Sequence, residues 1–301
     1  MATMRRGAVG VIGTGDMGSA VGGALVRAGY RVVTAGRGRS AHSRGLAAAA
    51  GIEDLGSLEA VVRAAELVLS IVPPAAAPPF AAEAASAMRA AGVRPVFADC
   101  NAVAPATAQA IARELESAGA AFVDIGIVGR GPSPGGERTR FYVSGAARAA
   151  VLDLAVAELT LVDLGGELGT ASAMKMAYSA LNKGTDALLT AVLLAAERLG
   201  VRAPLMRELE SSQPELLQRT RSRVPFLAAT AQRFAPEMAE IAKTYESVGV
   251  TPHFHRGAEW LYALLATTSL AAETRATQPR ERSLDAALAV FAAALDREVR
   301  A

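Results

Sequence analysis

VGVIGTGDMGSAVGGALVRAGYRVVTAGR, Val9 to Arg37, is the stretch whose reading decides the fold. The apolar run into which it opens, Ala8 to Ile12, has the length of a buried parallel strand. Gly13, Gly15 and Gly18 follow in G-x-G-x-x-G spacing, then a helical segment carrying Val21, Leu25 and Val26, with Gly29 as its stop. A second strand, Arg31 to Thr34, closes the unit. The spacing has a mechanical reason. Gly13 makes the tight turn, Gly15 lets backbone approach a pyrophosphate, and Gly18 lets helix pack closely on strand, while the helix N-terminus faces the phosphates. A bare glycine pattern is weak in a chain with 28 glycines. Here the strand before it, the helix after it and the second strand supply the context that a dinucleotide site requires. The competing reading is a glycine-rich turn between packed elements.

The end of the second strand chooses the nucleotide. An acid there would bind the ribose 2′-hydroxyl of NAD, whereas arginine accommodates the 2′-phosphate of NADP. The chain has Ala35-Gly36-Arg37-Gly38-Arg39-Ser40, and no acid follows until Glu53. Guanidinium groups suit a phosphate dianion because their donors form a planar fork. NADP is therefore the expected cofactor, with Arg37, Arg39 and Ser40 at its ribose end; solvated loop charges are the alternative.

A length of 301 residues allows one large domain or two ordinary ones. Hydrophobic content of 51% with 20% charged residues excludes general disorder. The net charge is only +2 and no long basic run is present, so no nucleic-acid partner is expected. Cys100 is the single cysteine, and His42, His253 and His255 form no H-E-x-x-H pattern, so no metal site is expected. Arg5-Arg6 before an apolar run superficially resembles a secretion leader, but Asp16 interrupts the run, which is needed as the first strand. The longest apolar stretch elsewhere, Ala187 to Ala196, is too short to span a bilayer. A soluble cytoplasmic protein with no membrane partner is the expectation.

Strands and helices continue to alternate. Helices are expected to end at Leu46 to Ala50 and to cover Ser57 to Ala65, Pro79 to Ala91 and about Pro105 to Ser117. Strands are expected at Leu67 to Val72, Pro95 to Ala98 and Ala120 to Ile127. Pro73-Pro74 ends the first of these and turns the chain across the sheet edge where ligands bind. This alternation argues for an α/β, doubly wound parallel sheet. A Gly/Pro-rich loop, Gly129 to Gly136, breaks the rhythm; Arg140 to Ser144 and Leu159 to Leu164 around a helix then read as an extension of the same sheet. From Gly169 onward helices are expected at about 169 to 200, 203 to 222, 224 to 248, 252 to 267 and 283 to 299. The expected architecture is an N-terminal nucleotide domain, 1–165, and an all-helical domain, 166–301, built on a long interdomain helix.

At about 100° per residue, Lys175, Ser179, Asn182 and Asp186 share a narrow stripe of that helix, with Lys183 and Thr190 on its shoulder. The remaining faces carry Met174, Met176, Ala177, Leu181, Leu188 and Val192. A helix so apolar around its girth reads as buried, so its polar stripe must line a cleft or be paired. A solvated stripe is the bland alternative. The apolar girth also exceeds what one small helical domain covers, which points to a homodimer through this helix and the C-terminal helices. Lys175 is the candidate general acid–base, with Ser179 and Asn182 able to orient its ammonium or a substrate oxygen.

Gly13-Thr14-Gly15-Asp16-Met17-Gly18, followed after a strand-rich half by Gly166-x-x-Gly169 and Lys175, resembles the β-hydroxyacid dehydrogenases. That superfamily includes 3-hydroxyisobutyrate and 6-phosphogluconate dehydrogenases, with imine reductases as relatives. The resemblance implies a Rossmann domain, a helical domain on a long interdomain helix, and a dimer sharing the cleft. It places Asp16 and Met17 with the loop glycines on the cofactor, Val72 and Pro73 beside the adenosine and Asn101 beside the nicotinamide. It makes Lys175 the catalytic lysine, with Ser179 in place of the family's asparagine. The chain departs from the pattern in two places: Val128-Gly129-Arg130 stands where the family has a Ser-Gly-Gly substrate loop, and Ala171 replaces a third glycine. Gly129 and Arg130 are accordingly the candidate substrate contacts, with Arg130 either forked onto a substrate carboxylate or facing solvent. K-M-x-x-S-x-x-x-K-G, Lys175 to Gly184, is similar to a less characterised branch with a phosphogluconate-dehydrogenase-like C-terminal domain. The expected function is interconversion of a small hydroxy acid and its carbonyl form. Imine reduction, oxidative decarboxylation or a non-catalytic NADP sensor are the competing functions; imine reductases generally lack the lysine.

Overall fold

The structure, a computed structural model, describes residues 7–274 and 277–300; the Arg5-Arg6 pair lies outside them. Eight strands, β1 (Ala8–Ile12), β2 (Val32–Thr34), β3 (Glu53–Asp54), β4 (Ala65–Ser70), β5 (Val96–Asp99), β6 (Phe122–Val128), β7 (Thr139–Ser144) and β8 (Leu159–Asp163), form one sheet in the order β3-β2-β1-β4-β5-β6-β7-β8. Strands β1 to β6 pair in parallel. Between them run helices α1 (Asp16–Arg27), α2 (Ala41–Ala49), α3 (Leu58–Ala64), α4 (Ala77–Ala91) and α5 (Pro105–Ser117). The chain leaves β1 outward through β2 and β3 and returns on its other side at β4, so the strand order reverses at the carboxyl ends of β1 and β4.

Period-two alternation explains why both sheet faces are covered. Ile12 of β1, Val68 of β4, Phe97 of β5 and Phe122 of β6 join Val61, Phe80, Met88, Ile111 and Leu115 in the core under α3, α4 and α5. Their strand neighbours Val11, Leu67, Leu69, Ala98, Val123 and Ile125 point the other way, onto Val21 and Leu25 of α1.

The sheet departs from an all-parallel one beyond β6. β7 runs antiparallel to β6, then β8 pairs parallel to β7 across the short helix α6 (Ala149–Leu152). A parallel neighbour needs a crossover of a dozen or more residues, usually helical; the connection at residues 129–138 contains no helix and turns straight back. β3 is a second addition, two exposed residues with no apolar pattern to announce them.

The chain divides into compact units at Met176/Ala177, inside helix α7 (Thr170–Arg198). The second unit carries α8 (Arg202–Ser212), α9 (Pro214–Arg223), α10 (Ala228–Ser247), α11 (His253–Ala266) and α12 (Leu284–Arg300). The single helix expected at 203 to 222 is two, because Pro214 opens a new helix after Gln213 leaves the helical conformation. Its interior contains Leu217, Met238, Ile241, Leu261, Leu265 and Phe291, with the Phe234 ring meeting the buried Tyr262 edge-on at 5.3 Å. Among the described residues no helix is long and apolar enough to cross a membrane.

Candidate nucleotide and catalytic site

The glycine loop joins β1 to α1 and has the geometry its spacing demands. Gly13 has φ 93°, and a Cβ there would stand 2.2 Å from the Ile71 carbonyl oxygen, so only glycine fits. A Cβ on Gly18 would stand 2.1 Å from the Gly13 carbonyl oxygen. Gly15 differs: a Cβ there would meet nothing within 4 Å. Gly15 is also the N-cap of α1 and supplies no side-chain hydrogen bond, which leaves first-turn N–H groups for an anion. Asp16 is exposed in that first turn, while Met17 packs its half-buried side chain on the sheet core. The open face at Gly15 and the positive end of α1 fit a pyrophosphate.

Beyond β2, Arg37 is exposed and Arg39 half-buried, and neither forms a salt bridge among the described residues. Ser40 caps α2, its hydroxyl accepting from the Ser43 N–H at 3.1 Å. The buried Thr14 hydroxyl meets Ser43 Oγ at 2.9 Å, tying the glycine loop to α2. One acid at this end of β2 escapes a linear reading. Asp54 on β3 pairs in register with Thr34, and its Oδ1 accepts from the Gly36 and Gly56 N–H groups, both at 2.8 Å. Its neighbour Glu53 is instead occupied at the surface by Arg31, 2.9 Å away, whose hydrogen bond lowers the Glu53 pKa.

Asn101 ties the carboxyl ends of β4 and β5 together. Its Oδ1 accepts from the Val72 N–H at 2.6 Å, and its Nδ2 donates to Ser70 Oγ at 3.0 Å and to Asp99 Oδ1. Val72 is buried and Pro73 exposed at the start of the turn into α4. Asn101 is itself buried, and its amide holds the backbone at Val72. Asp99 Oδ2 is buried without a hydrogen-bond partner among the described residues. Burial, then the charge of Asp124, push the Asp99 carboxyl up to about 8. Burial also pushes the Cys100 thiol up, with the two nearby carboxylates adding to the shift.

Asp124, in the middle of β6, receives the start of α7. Its Oδ1 accepts from Ser172 Oγ at 2.6 Å; its Oδ2 accepts from the Ser172 N–H at 2.9 Å and from Ser144 Oγ at 3.1 Å. Ser144, the register partner of Asp124, accepts in turn from the Ala171 N–H at 3.0 Å. Side chains of two strands thereby satisfy first-turn N–H groups of α7. Burial raises the Asp124 pKa, and the Ser172 hydrogen bonds oppose it. Two residues on, a Cβ at Gly126 would stand 2.6 Å from the Ala171 carbonyl oxygen and 3.0 Å from Lys175 Cβ, so glycine lets α7 lie directly on β6. Lys175 is half-buried and its Nζ donates to the Ile127 carbonyl oxygen. Gly129 and Arg130 follow, both exposed, with the Arg130 carbonyl accepting from Thr139 Oγ1 at 2.5 Å. A Cβ on Gly131 would stand 2.9 Å from Ala20 Cβ, so this loop packs on the start of α1.

The fold therefore brings Gly13, Gly15, Gly18, Val72, Pro73, Asn101, Gly129 and Lys175 to the carboxyl ends of β1, β4, β5 and β6, the sheet edge where α/β folds bind ligands. A cavity of about 480 Å³ opens elsewhere, between the end of α1 at Arg27, the loop at Ser133 to Gly136 and Glu158, and touches none of these residues. Among the described residues no group of three or more His, Cys, Asp or Glu side chains is arranged to hold a metal ion.

Within the helical unit, Ser179 is buried and Asn182 partly exposed, its Nδ2 donating to the Tyr178 carbonyl oxygen at 3.1 Å. The later stripe residues are paired rather than open to a cleft. Asp186 is fully buried against Arg219 and Arg223. Lys183, placed by periodicity on the stripe's edge, is buried in an ion pair with Glu237, its Nζ 4.7 Å from the Phe234 ring centroid. The Tyr262 hydroxyl donates to the Lys183 carbonyl oxygen at 2.9 Å.

Residues 8–152 match the family model of the NAD binding domain of 6-phosphogluconate dehydrogenase, and residues 196–265 match a domain of unknown function (DUF1932). A conserved hypothetical protein from Sinorhizobium meliloti is 28% identical, covers 97% of both chains and superposes with a TM-score of 0.64. A conserved protein of unknown function with structural similarity to 3-hydroxyacid dehydrogenases is 26% identical over 97% of this chain and 98% of its own, with a TM-score of 0.59. The 3-hydroxyisobutyrate dehydrogenase of Mycobacterium tuberculosis shares the fold, with a TM-score of 0.67 at 18% identity over 98% of this chain and 99% of its own.

Proposed function

We propose that this chain is a member of the β-hydroxyacid dehydrogenase superfamily and an NADP-dependent oxidoreductase. It interconverts a small hydroxy acid, or a related alcohol, and its carbonyl form, with Lys175 as general acid–base. The observation that carries the reading is the Lys175 ammonium held on the Ile127 carbonyl, at the same sheet edge as the glycine loop.

When bound, the nicotinamide would supply the hydride for reduction and accept it in oxidation. The chain's own residues do the rest. The first turn of α1 and the open face at Gly15 receive the pyrophosphate. Arg37 and Arg39, with no ion-pair partner among the described residues, offer their guanidinium forks to the 2′-phosphate, and Ser40 closes that end by fixing α2. Asn101 holds the Val72 backbone, and with it the turn at Pro73. In reduction, Lys175 Nζ gives a proton to the carbonyl oxygen as it becomes an alkoxide; in oxidation the neutral amine takes the hydroxyl proton back. The Ile127 carbonyl aims the ammonium, and Ser179 and Asn182, on the same helix, orient the lysine or the substrate oxygen. Gly129 and Arg130 flank the substrate, with Arg130 forking onto its carboxylate.

The test is an NADPH-oxidation screen against 2- and 3-oxo acids, semialdehydes and cyclic imines, paired with cofactor titrations of wild type and Arg37→Ala. Turnover of a carbonyl compound is expected, with NADPH bound at least about tenfold tighter than NADH, a difference of about 1.4 kcal/mol. Arg37→Ala should remove most of that preference. Equal affinities in the wild type would give the ribose end to Asp54 and NAD. Turnover of imines alone would replace the carbonyl reaction with imine reduction.

A further inference from the structure

Asp186 has no exposed surface, and a carboxylate so placed must be compensated. Two arginines of α9 meet it. Arg219 brings Nε to 2.9 Å and Nη2 to 2.8 Å of Oδ1, and Arg223 brings Nε to 2.6 Å of Oδ2. The same Arg219 Nη2 donates to the Asn182 carbonyl oxygen at 3.0 Å. One negative charge thus faces two positive ones, so the cluster keeps an excess positive charge that tying α9 to α7 does not require. A single guanidinium would neutralise Asp186.

The arginine heads are not buried with their anchor. Their side chains are 32% and 47% exposed, against 1% for Asp186. Arg223 commits only Nε; its two terminal nitrogens make no hydrogen bond among the described residues. The neighbouring Arg221 points instead toward Glu210, 3.5 Å away. Terminal guanidinium nitrogens form a planar fork that matches the paired oxygens of a carboxylate or phosphate. Anchoring the Nε edge on a buried carboxylate fixes the fork beforehand, so binding loses little side-chain entropy.

From this geometry we infer that Arg219 and Arg223, held by Asp186, form a binding site for an oxyanion, the carboxylate or phosphate group of a small molecule. Arg223 supplies the fork and Arg219 the second positive charge. The site is independent of the reaction proposed above, because it requires neither nucleotide nor Lys175.

The test is isothermal titration calorimetry at low ionic strength, without nucleotide, using malonate and inorganic phosphate as the two probes. At least one should bind the wild type, and the tighter of the two identifies the headgroup as carboxylate or phosphate. Arg223→Gln should weaken that binding about tenfold or more, as expected for losing hydrogen bonds from a charged donor. Arg223→Lys, which keeps the charge but not the fork and preserves the fold should the glutamine variant lose it, should weaken it similarly. Arg221→Gln should bind as the wild type does, which separates this site from its exposed arginine neighbour. Failure of both probes to bind the wild type, or wild-type affinity in Arg223→Lys, would overturn the inference.

Discussion

Asp99 and Asp124 end up buried on adjacent strands, and each resolves the cost differently. Asp124 spends both oxygens on the serines and N–H group that start α7, whereas Asp99 leaves Oδ2 unpartnered and holds its proton instead. Its carboxyl titrates near 8 in the folded chain and near the ordinary 3.8 when unfolded. Between those values the folded state binds the extra proton, so the stability Asp99 contributes falls as pH rises through the window. The slope is at most about 1.4 kcal/mol per pH unit. Asp99→Asn should flatten that fall, seen as convergence or crossing of denaturant-unfolding free energies for the two proteins between pH 5 and 8. Parallel pH profiles would contradict it. Neither carboxylate's role was legible in the sequence. Asp124 finds Ser172 across 48 positions of chain, and Asp54 reaches Gly36 only because β3 pairs with β2. Gly13, Gly15 and Gly18 were legible because the turn they make is local in sequence, with Gly18 packed on the Gly13 carbonyl.

Helix α7 shows where periodicity stops. The spacing of Lys175, Ser179, Asn182 and Asp186 set one polar stripe apart from an apolar girth. It could not say that Glu237 would arrive from α10 to bury Lys183, or that α9 would bring arginines to Asp186. Similarly, the helix expected at 203 to 222 ran through Pro214, and only the Gln213 backbone shows that it is two. Lys183 is a structural residue on this evidence of burial. Lys183→Ala should cost about 3 kcal/mol of unfolding free energy, because it leaves the buried Glu237 carboxylate with only the half-exposed Arg233 among the described residues, 3.7 Å away. The double variant Lys183→Met/Glu237→Leu should recover most of that loss. Chemical denaturation measures both, and a single variant within about 0.5 kcal/mol of wild type would remove the pair from the stability of the helical unit.

At the scale of the whole molecule, the first 128 residues, β3 apart, were readable as strand and helix because each element repeats its own period. The antiparallel turn at β7 was not, since a loop's length and conformation rather than its apolar pattern set strand direction. The apolar girth of α7 remains partly uncovered: Leu181 and Leu188 are 69% and 63% exposed, with Tyr178 and Val192 continuing the same stripe. Such a stripe calls for a partner surface, and we propose a second copy of the chain. Light scattering at micromolar concentration should give twice the 30.9 kDa chain mass, and Leu181→Asp/Leu188→Asp should return it to the single-chain mass; a wild type of single-chain mass would contradict the dimer. In the reaction proposed above the chemistry rests on Lys175, whose Nζ donates from α7 to the Ile127 carbonyl oxygen of β6. The most direct measurement is kcat for Lys175→Ala on the carbonyl substrate found by the NADPH screen, with NADPH affinity followed by fluorescence. As the proton donor, Lys175 should account for about 10²- to 10⁴-fold in kcat, with NADPH affinity and thermal stability unchanged. Lys175→Arg should give no rescue, because guanidinium does not release its proton near neutral pH. A Lys175→Ala protein that turns over at the wild-type rate with NADPH bound would contradict the dehydrogenase mechanism.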